Sequence, residues 1–447
     1  EYGDHGFGGG LHGGGVQPLE VVRMWARKRI DISWIDLAFG AVRCFAPAHR
    51  RRPAPRSEAL RPADGDTLES LSVRSGFDLL LTALGLPPGS EVLVSAVTIR
   101  DMTRIVEEHG LTPVAIELEA ATMAPDPERL RQAVTPATRA ILVAHLFGGR
   151  IDLRPIAEFA AEHDLLLIED CAQAYAGPEF TGHPAAIASM FSFGPIKTAT
   201  ALGGALVHVR DPALLTRMRR LQAEYPRQGR WAFLLRLAKY AGLKAISARP
   251  VYGALVRLLR ALGVDHDRLV NGAVRGFAGE GFFARIRRQP CAALLALMER
   301  RVRRFDPRRL AARAAAGEAF LERLGEVEAC PGAASTPHSH WVFPLRVDDP
   351  PTAIAALARS GFDATQGQSL VVVDPPDDRP ELDPLVTRDT MKKVIYLPCY
   401  PELPPEAISR LAAAIAPLAA AAPPVRQALA RSEILCTSTP QSNVSSI

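Results

Sequence analysis

The stretches LLLIEDCAQAYAG (Leu165–Gly177) and ASMFSFGPIKTATALGGALVHV (Ala188–Val209) decide the reading of this chain. Each opens on an apolar run of strand length and breaks into a polar loop. The first loop is Glu169-Asp170-Cys171-Ala172-Gln173, the second Ser192-Phe193-Gly194-Pro195-Ile196-Lys197. A near-continuous apolar run such as Leu165–Ile168 suits a sheet covered on both faces. In open parallel sheets ligands bind beyond the carboxyl ends of strands, so Asp170, Ser192 and Lys197 are expected to converge on one pocket. A lysine held among apolar neighbours loses its proton more readily and becomes an amine nucleophile toward a carbonyl. An aspartate on the pocket floor holds a protonated ring nitrogen, and a hydroxyl beside a helix N-terminus binds a phosphate. Together these are the minimum set for pyridoxal 5'-phosphate. Taken singly, each residue has a plainer reading, a solvated surface lysine or an aspartate capping a helix. Their order and spacing in combination carry the argument.

The pattern extends outward from this pair. From Ser75 onward, strand-length apolar segments alternate with helix-length amphipathic ones, the signature of crossover units around a mainly parallel sheet. Strand candidates are Glu91–Val97, Pro113–Leu118, Arg139–Leu146, Leu165–Asp170, Ala188–Phe193 and Ala205–Val209. Helix candidates are Ser75–Leu84, Arg100–Gly110, Asp126–Val134, Leu153–His163 and Pro212–Ala223. The expected class is α/β, with helices on both faces of the sheet. Residues 224–289 interrupt the alternation, and Pro290–Leu324 reads as one long helical stretch. A smaller α+β unit follows, with strands at Trp341–Val347 and Val394–Leu397 and helices at Thr352–Ser360 and Pro405–Ile415. The expected division is therefore 1–64, a glycine-rich flexible tail and an apolar arm; 65–223, a large cofactor-binding domain; 224–289, a basic helical insertion; 290–420, a helical connection and small domain; and 421–447, a disordered tail.

Composition narrows the class. The 447 residues are 48% hydrophobic and 23% charged, sufficient for two packed domains. No charge-free apolar run reaches the roughly 20 residues of a membrane-spanning helix, and no stretch reads as a secretory signal. The six cysteines (Cys44, Cys171, Cys291, Cys330, Cys399, Cys436) lack metal-ligand spacing and form no C-x-x-C pair. That usage points to a reducing cytoplasm and to no metal site. The net charge is +5, but Tyr225–Val264 alone carries +8 without an Asp or Glu, leaving −3 elsewhere. Basicity this local is not a nucleic-acid-binding surface.

Ile168–Gly177 and Phe191–Gly204 resemble the two central signatures of the DegT/StrS (DnrJ-type) sugar-aminotransferase family, whose fold is the aspartate-aminotransferase-like fold type I of pyridoxal-phosphate enzymes. Ser75–Val94 resembles that family's first motif, Val134–Gly148 its third strand and Tyr396–Leu403 its C-terminal signature. The resemblance implies an aminotransferase that passes an amino group from an amino-acid donor to a keto acceptor, a sugar or an amphiphile, and that works as a homodimer. It implies that Lys197 forms the internal aldimine and then shuttles the proton, and that Asp170 pairs with the pyridinium nitrogen. It places Gln173 beside the ring and Ser192 on the phosphate, with backbone amides of Ser75 and Gly76 offered to the same phosphate. Lys197 argues against the dehydrating branch of the family, which has histidine there. The chain departs from the family pattern at Phe77, where a small hydroxyl residue is usual, and at Ile99, where an aromatic ring is usual. It departs again at Thr365–Ser369, which lacks the family's His and Tyr. These departures sustain a second reading, a pyridoxal-phosphate-binding regulatory or scaffold protein without turnover.

Two segments lie outside the resemblance. The arm Arg23–Phe45 sets Trp25, Ile32, Trp34 and Phe45 around Arg27-Lys28-Arg29, and is expected to pack either on a dimer mate or on its own large domain. The window 225–264 mixes Trp231, Phe233, Leu237 and Tyr240 with Arg230, Arg236, Lys239 and Lys244. It suits either a packed helical insertion with snorkelling cations or peripheral contact with an anionic membrane.

Overall fold

Strands that are apolar at nearly every position need two covered faces, and the chain supplies both. A computed structural model describes residues 24–46, 66–264, 281–325, 329–367 and 369–419. Residues 1–23 and 47–64 of the expected tail and arm, the expected tail at 421–447 and part of the basic insertion lie outside the described residues. The elements run α1 (Trp34–Phe45), β1 (Thr67–Ser70), α2 (Val73–Leu84), β2 (Glu91–Ser95), β3 (Val97–Ile99), α3 (Arg100–Glu108), β4 (Thr112–Ile116), α4 (Pro127–Ala133) and β5 (Thr138–Ala144). Next come α5 (Arg154–Glu162), β6 (Leu166–Asp170), β7 (Ala188–Ser192), β8 (Ala205–Val209), α6 (Pro212–Glu224), α7 (Arg230–Ile246) and α8 (Arg249–Ala261). After these the chain forms α9 (Phe282–Ile286), α10 (Ala292–Arg303), α11 (Pro307–Leu324), β9 (Phe343–Arg346), α12 (Pro350–Arg359), β10 (Leu370–Val372), α13 (Leu385–Lys393), β11 (Val394–Leu397) and α14 (Pro405–Ile415).

The central sheet has seven strands in the order β1-β8-β7-β6-β5-β2-β4. All its pairings are parallel except those of β8, which runs antiparallel to β7 and β1. Along β5, Ala140, Leu142 and Ala144 face a core shared with α2, α3 and α6, while Ile141 and Val143 face a second core with α4 and α5. This is the α/β class expected from the sequence. A third layer, α1, α7 and α10, closes over Phe191, Phe193 and Leu206 at the β7–β8 side of the sheet. The C-terminal elements α11, β9, α12, β11 and α14 share a core of their own, built on Phe320, Phe343, Leu345, Leu357 and Ile395.

Four helices begin with the same dipeptide. Asp126, Asp211, Asp306 and Asp349 accept from amides of the first turns of α4, α6, α11 and α12, and a proline stands just inside each helix. The aspartate satisfies orphan amides, and the proline loses nothing because its missing N–H has no partner there. The pair at Asp306-Pro307 also corrects an expectation, for Pro290–Leu324 is two helices, broken before Asp306. The expected strand Glu91–Val97 divides as well. Glu91–Ser95 lies in the main sheet, whereas Val97–Ile99 pairs with Leu370–Val372 in a separate two-stranded ribbon. Strand β1 was not expected, because Thr-Leu-Glu-Ser is too short and polar to read as a strand.

The arm folds as α1. Ser33 Oγ accepts from the Asp36 amide and donates to its carboxylate. Asp36 in turn accepts from Arg300 Nε at 2.7 Å and Arg301 Nη1 at 2.8 Å, tying α1 to α10. Trp25 is buried against the chain's own C-terminal unit, with its amide on the Gly361 carbonyl. Trp34 is exposed.

Helix α2 starts at Val73, two residues earlier than expected, because Ser72 is its cap. Gly76 faces β8, and a Cβ there would stand 2.6 Å from Val207 Cγ2. Gly76→Ala is therefore expected to cost about 1–3 kcal/mol by overpacking. Urea unfolding checks this, and Val207→Ala in the same chain should recover most of the loss.

Candidate active site

The site is built from the ends of β6 and β7. Glu169, next to last in β6, is buried and carries its charge inward. Its Oε1 meets His145 Nε2 at 2.8 Å, and its Oε2 accepts from the His183 amide at 2.8 Å and Ser189 Oγ at 2.6 Å. His145 Nδ1 accepts from the Ile151 amide, so its proton sits on Nε2 and points at Glu169. Burial alone would raise the Glu169 carboxyl. The hydrogen bonds from His145, Ser189 and the His183 amide outweigh it and hold the group at about 2. His145, Glu169 and Cys171 bring their donor atoms within 4.8 Å of one another. Both His145 ring nitrogens and both Glu169 oxygens are already bonded, which makes the cluster a strut rather than a metal cage.

Asp170 ends β6 and turns the other way. Its Oδ1 accepts from the Ala172 amide at 2.9 Å, and burial raises its pKa against that bond and against the nearby Lys197. Lys197 sits on the loop between β7 and β8. That loop closes around one carbonyl: Phe193 O accepts from the amides of Ala201 and Gly203 and from Thr200 Oγ1. Ala199 and Leu202 adopt left-handed backbone (φ 54° and 62°), a conformation costly for residues with a Cβ and concentrated at functional loops. The Lys197 amide donates to Gly194 O, and Arg313 Nη2 bonds Thr198 Oγ1 at 2.9 Å.

The Lys197 amine is tuned by its surroundings. Its Nζ lies 3.9 Å from the centre of the Trp341 ring. Burial pushes its pKa down to about 7, with Asp170 opposing and Arg74 assisting. Trp341 Nε1 donates to the Ile196 carbonyl at 2.8 Å, fixing the ring beneath the lysine loop. Gly148 permits the close approach, since a Cβ there would meet the Trp341 amide nitrogen at 2.5 Å. Lys28, from the arm, places its own Nζ 3.8 Å from the same ring centre, and burial followed by the charges of Lys197, Arg313 and Arg27 lowers its pKa. Lys28 and Lys197 line a small cleft with Trp341 and Tyr400. Beside it lies a cavity of about 320 Å³ bounded by Ile32, Thr198, Lys244, Arg301, Arg304 and Arg309.

The remaining expected residues are placed as follows. Gln173 Oε1 accepts from the Phe147 amide at 2.9 Å. Ser192 Oγ accepts from the Gly194 amide at 3.3 Å. Ser75 N–H donates to Ser72 Oγ and Gly76 N–H to Ser72 O, so both amides are engaged within the helix start rather than presented freely. Phe77 is a core side chain of α2. Ile99 pairs with Leu370, which brings two of the three departures from the family pattern, Ile99 and the loop at 365–369, side by side. Sequence reasoning missed Trp341, Arg74 and Lys28. Trp341 read only as the start of a strand and Lys28 only as part of a basic run; neither carries a local signal that it folds onto Lys197.

The fold is shared with known proteins. The fold is that of sugar aminotransferase CalS13 from Micromonospora echinospora, at a TM-score of 0.62 and 19% identity, covering 88% of this chain and 100% of that one. NtdA from Bacillus subtilis, solved with the bound cofactor PMP, aligns at a TM-score of 0.53 and 17% identity over 78% of this chain and 72% of that one. These define the class as fold type I. Residues 69–416 match the DegT/DnrJ/EryC1/StrS aminotransferase family, and the chain belongs to that family. L-glutamine:2-deoxy-scyllo-inosose aminotransferase of Streptomyces kanamyceticus is 37% identical over 149 residues, 33% of this chain and 35% of that protein. The chain thus matches less than half the length of such curated relatives.

The Glu169 strut has a pH signature. Its folded pKa lies below the unfolded value of 4.5, so its stabilisation is present above about 4.5 and lost as pH falls toward 2. Glu169→Gln is expected to lose about 3 kcal/mol at neutral pH. Urea unfolding across that acid range should show the wild type converging on the variant.

Proposed function

We propose that this protein is a pyridoxal-phosphate-dependent aminotransferase that moves an amino group from an amino-acid donor to a keto acceptor of the sugar class. The observation that carries the reading is the Lys197 amine, brought to about 7 by burial and set in the field of Asp170 at the end of β6. The donor set fits the cofactor. Lys197 offers a near-neutral amine to an aldehyde, and Asp170 a carboxylate to a ring nitrogen. Ser192 Oγ and the first turn of α2, with Ser75 and Gly76, offer donors to a phosphate. A phosphate at that turn would take over the capping bonds now made by Ser72.

When bound, the cofactor supplies an electron-withdrawing ring that delocalises the charge left as the donor's α-proton departs. Lys197 Nζ takes up and returns that proton. A pKa near the working pH keeps about half of the amine free, the condition for efficient transfer in both directions. Asp170 keeps the ring nitrogen protonated. Gln173, held by the Phe147 amide, steadies the ring or the substrate beside it. Trp341 and Asp170 together fix where Lys197 can reach.

Donor and acceptor would use the same pocket in turn. The adjoining cavity is lined by six cations (Arg29, Lys244, Arg301, Arg304, Arg309, Arg313) against three acids (Asp31, Asp306, Glu402), an excess that supports an acceptor carrying negative charge. A homodimer, and the division of the chain at about residues 64, 223, 289 and 420, belong to this reading. The separate core beneath β9 and β11 supports a distinct C-terminal domain. Among the described residues no helix is long and apolar enough to cross a membrane.

Lys197→Ala should abolish covalent fixation of pyridoxal phosphate by borohydride while leaving the circular dichroism spectrum unchanged. Covalent fixation persisting in that variant would assign the nucleophile elsewhere. Asp170→Asn should retain some cofactor yet lose at least about a hundredfold in kcat, since a neutral amide cannot hold the ring proton. Single-turnover kinetics with an amino donor measures that loss.

A further inference from the structure

Helix α1 is apolar on two opposite sides. Its buried side, Leu37, Gly40 and Cys44 with the paired Asp36, packs on α7 and α10. At about 100° per residue, Trp34, Phe45, Ala38, Val42 and Ile35 fall in a second stripe about 100° wide. That stripe faces solvent. Helix α7 repeats the arrangement: Phe233, Leu237 and Tyr240 are buried, while Trp231, Leu235, Ala238 and Gly242 line the outer side.

The two helices lie antiparallel. Phe45 at the end of α1 meets Trp231 at the start of α7, ring centres 5.4 Å apart, and Trp34 at the start of α1 meets Lys244 near the end of α7 at 5.9 Å. The outer stripes therefore join into one surface on which Trp34, Ile35, Val42, Phe45, Trp231 and Leu235 are each 52–72% exposed. An apolar face of this extent on a helix pair marks a contact surface.

The exposed charges on the two helices that form this surface have one sign. Between Tyr225 and Val264 there is no acid, and Asp36, the acid of α1, is buried and bonded to Arg300 and Arg301. Arg43, Arg230 and Lys239 are exposed at its margins. We infer that the outer face of α1 and α7 is a docking surface for an anionic lipid bilayer, in which the tryptophans and aliphatic side chains enter the acyl boundary and the cations meet phospholipid head groups. A second copy of the chain fits less well, because a two-fold contact would set these cations against their own copies. The large cavity beside Lys197 reaches the same two helix ends, being lined by Ile32 and Ser33 before α1 and by Lys244 of α7. A docked protein would thus hold that cavity close to the lipid surface.

Co-sedimentation of the full chain with vesicles tests the inference without reference to catalysis. The protein should pellet with mixed phosphatidylcholine–phosphatidylglycerol vesicles at low salt, and at least about tenfold less with phosphatidylcholine alone or at high salt. The double variant Ile35→Glu with Leu235→Glu, altered only at exposed positions, should lose that binding about tenfold or more and keep the wild-type thermal unfolding curve. Charge reversal at Lys239→Glu with Arg43→Glu should weaken the anionic binding while leaving the aliphatic face intact. Absence from every vesicle pellet, equal binding to neutral vesicles, or binding untouched by the substitutions would overturn the assignment. A dimer seen by light scattering that the Ile35→Glu/Leu235→Glu variant converts to monomer would give the face to a second copy instead.

Discussion

The withdrawal of the Lys197 amine from water is the constraint on which the site depends. An ammonium in bulk water stays protonated at any physiological pH and attacks nothing. Buried, and repelled by the charge of Arg74, the same group is brought down to about 7. Asp170 pulls the other way and keeps the shift from running further. The pair is balanced: burial raises the Asp170 carboxyl and lowers the Lys197 amine, and the attraction between the two opposes both shifts. A fold that places one without the other yields an inert lysine or a lone buried acid.

Much of the architecture serves to hold that pair still. The loop carrying Lys197 is gathered around the Phe193 carbonyl and strained at Ala199 and Leu202, and Arg313 fastens it from α11 through Thr198. Beneath Asp170, the bonded Glu169 and His145 lock the end of β6 to its neighbour β5 and to the loop at His183. Gly148 lets the segment before β9 approach closely enough for Trp341 to reach its place. Contributions thus arrive from the sheet, from the helical connection and from the C-terminal unit. This explains why residues so far apart in sequence must fold together before the amine is tuned.

The sheet and the two central loops were legible because they obey local rules. Apolar runs of strand length are readable over a few residues, and Asp170 and Lys197 stand at or just beyond strand ends, where ligands gather. What escaped depends on long-range approach. Nothing around Trp341 signals a ring beneath a lysine more than a hundred residues away. Strand β1 is polar and short, and exists because β8 offers it an edge. The Ile99 segment leaves the main sheet because Leu370–Val372 provides a second partner. Helix α1 resisted sequence reading because it is apolar on two sides, so no single stripe stands out. In the structure the Ser75 amide bonds Ser72 Oγ and the Gly76 amide Ser72 O, and the absence of a side chain at Gly76 is explained by Val207.

The central claim is that the Lys197–Asp170 pair makes this chain a working aminotransferase rather than a cofactor-binding scaffold. Visible absorbance of the pyridoxal-phosphate-loaded protein during addition of an amino donor such as glutamine or glutamate addresses it directly. The account predicts that the cofactor's absorbance falls to that of its amine form and returns when a keto acceptor is added. A spectrum unchanged by every amino donor, from a protein that nonetheless holds the cofactor on Lys197, would contradict it.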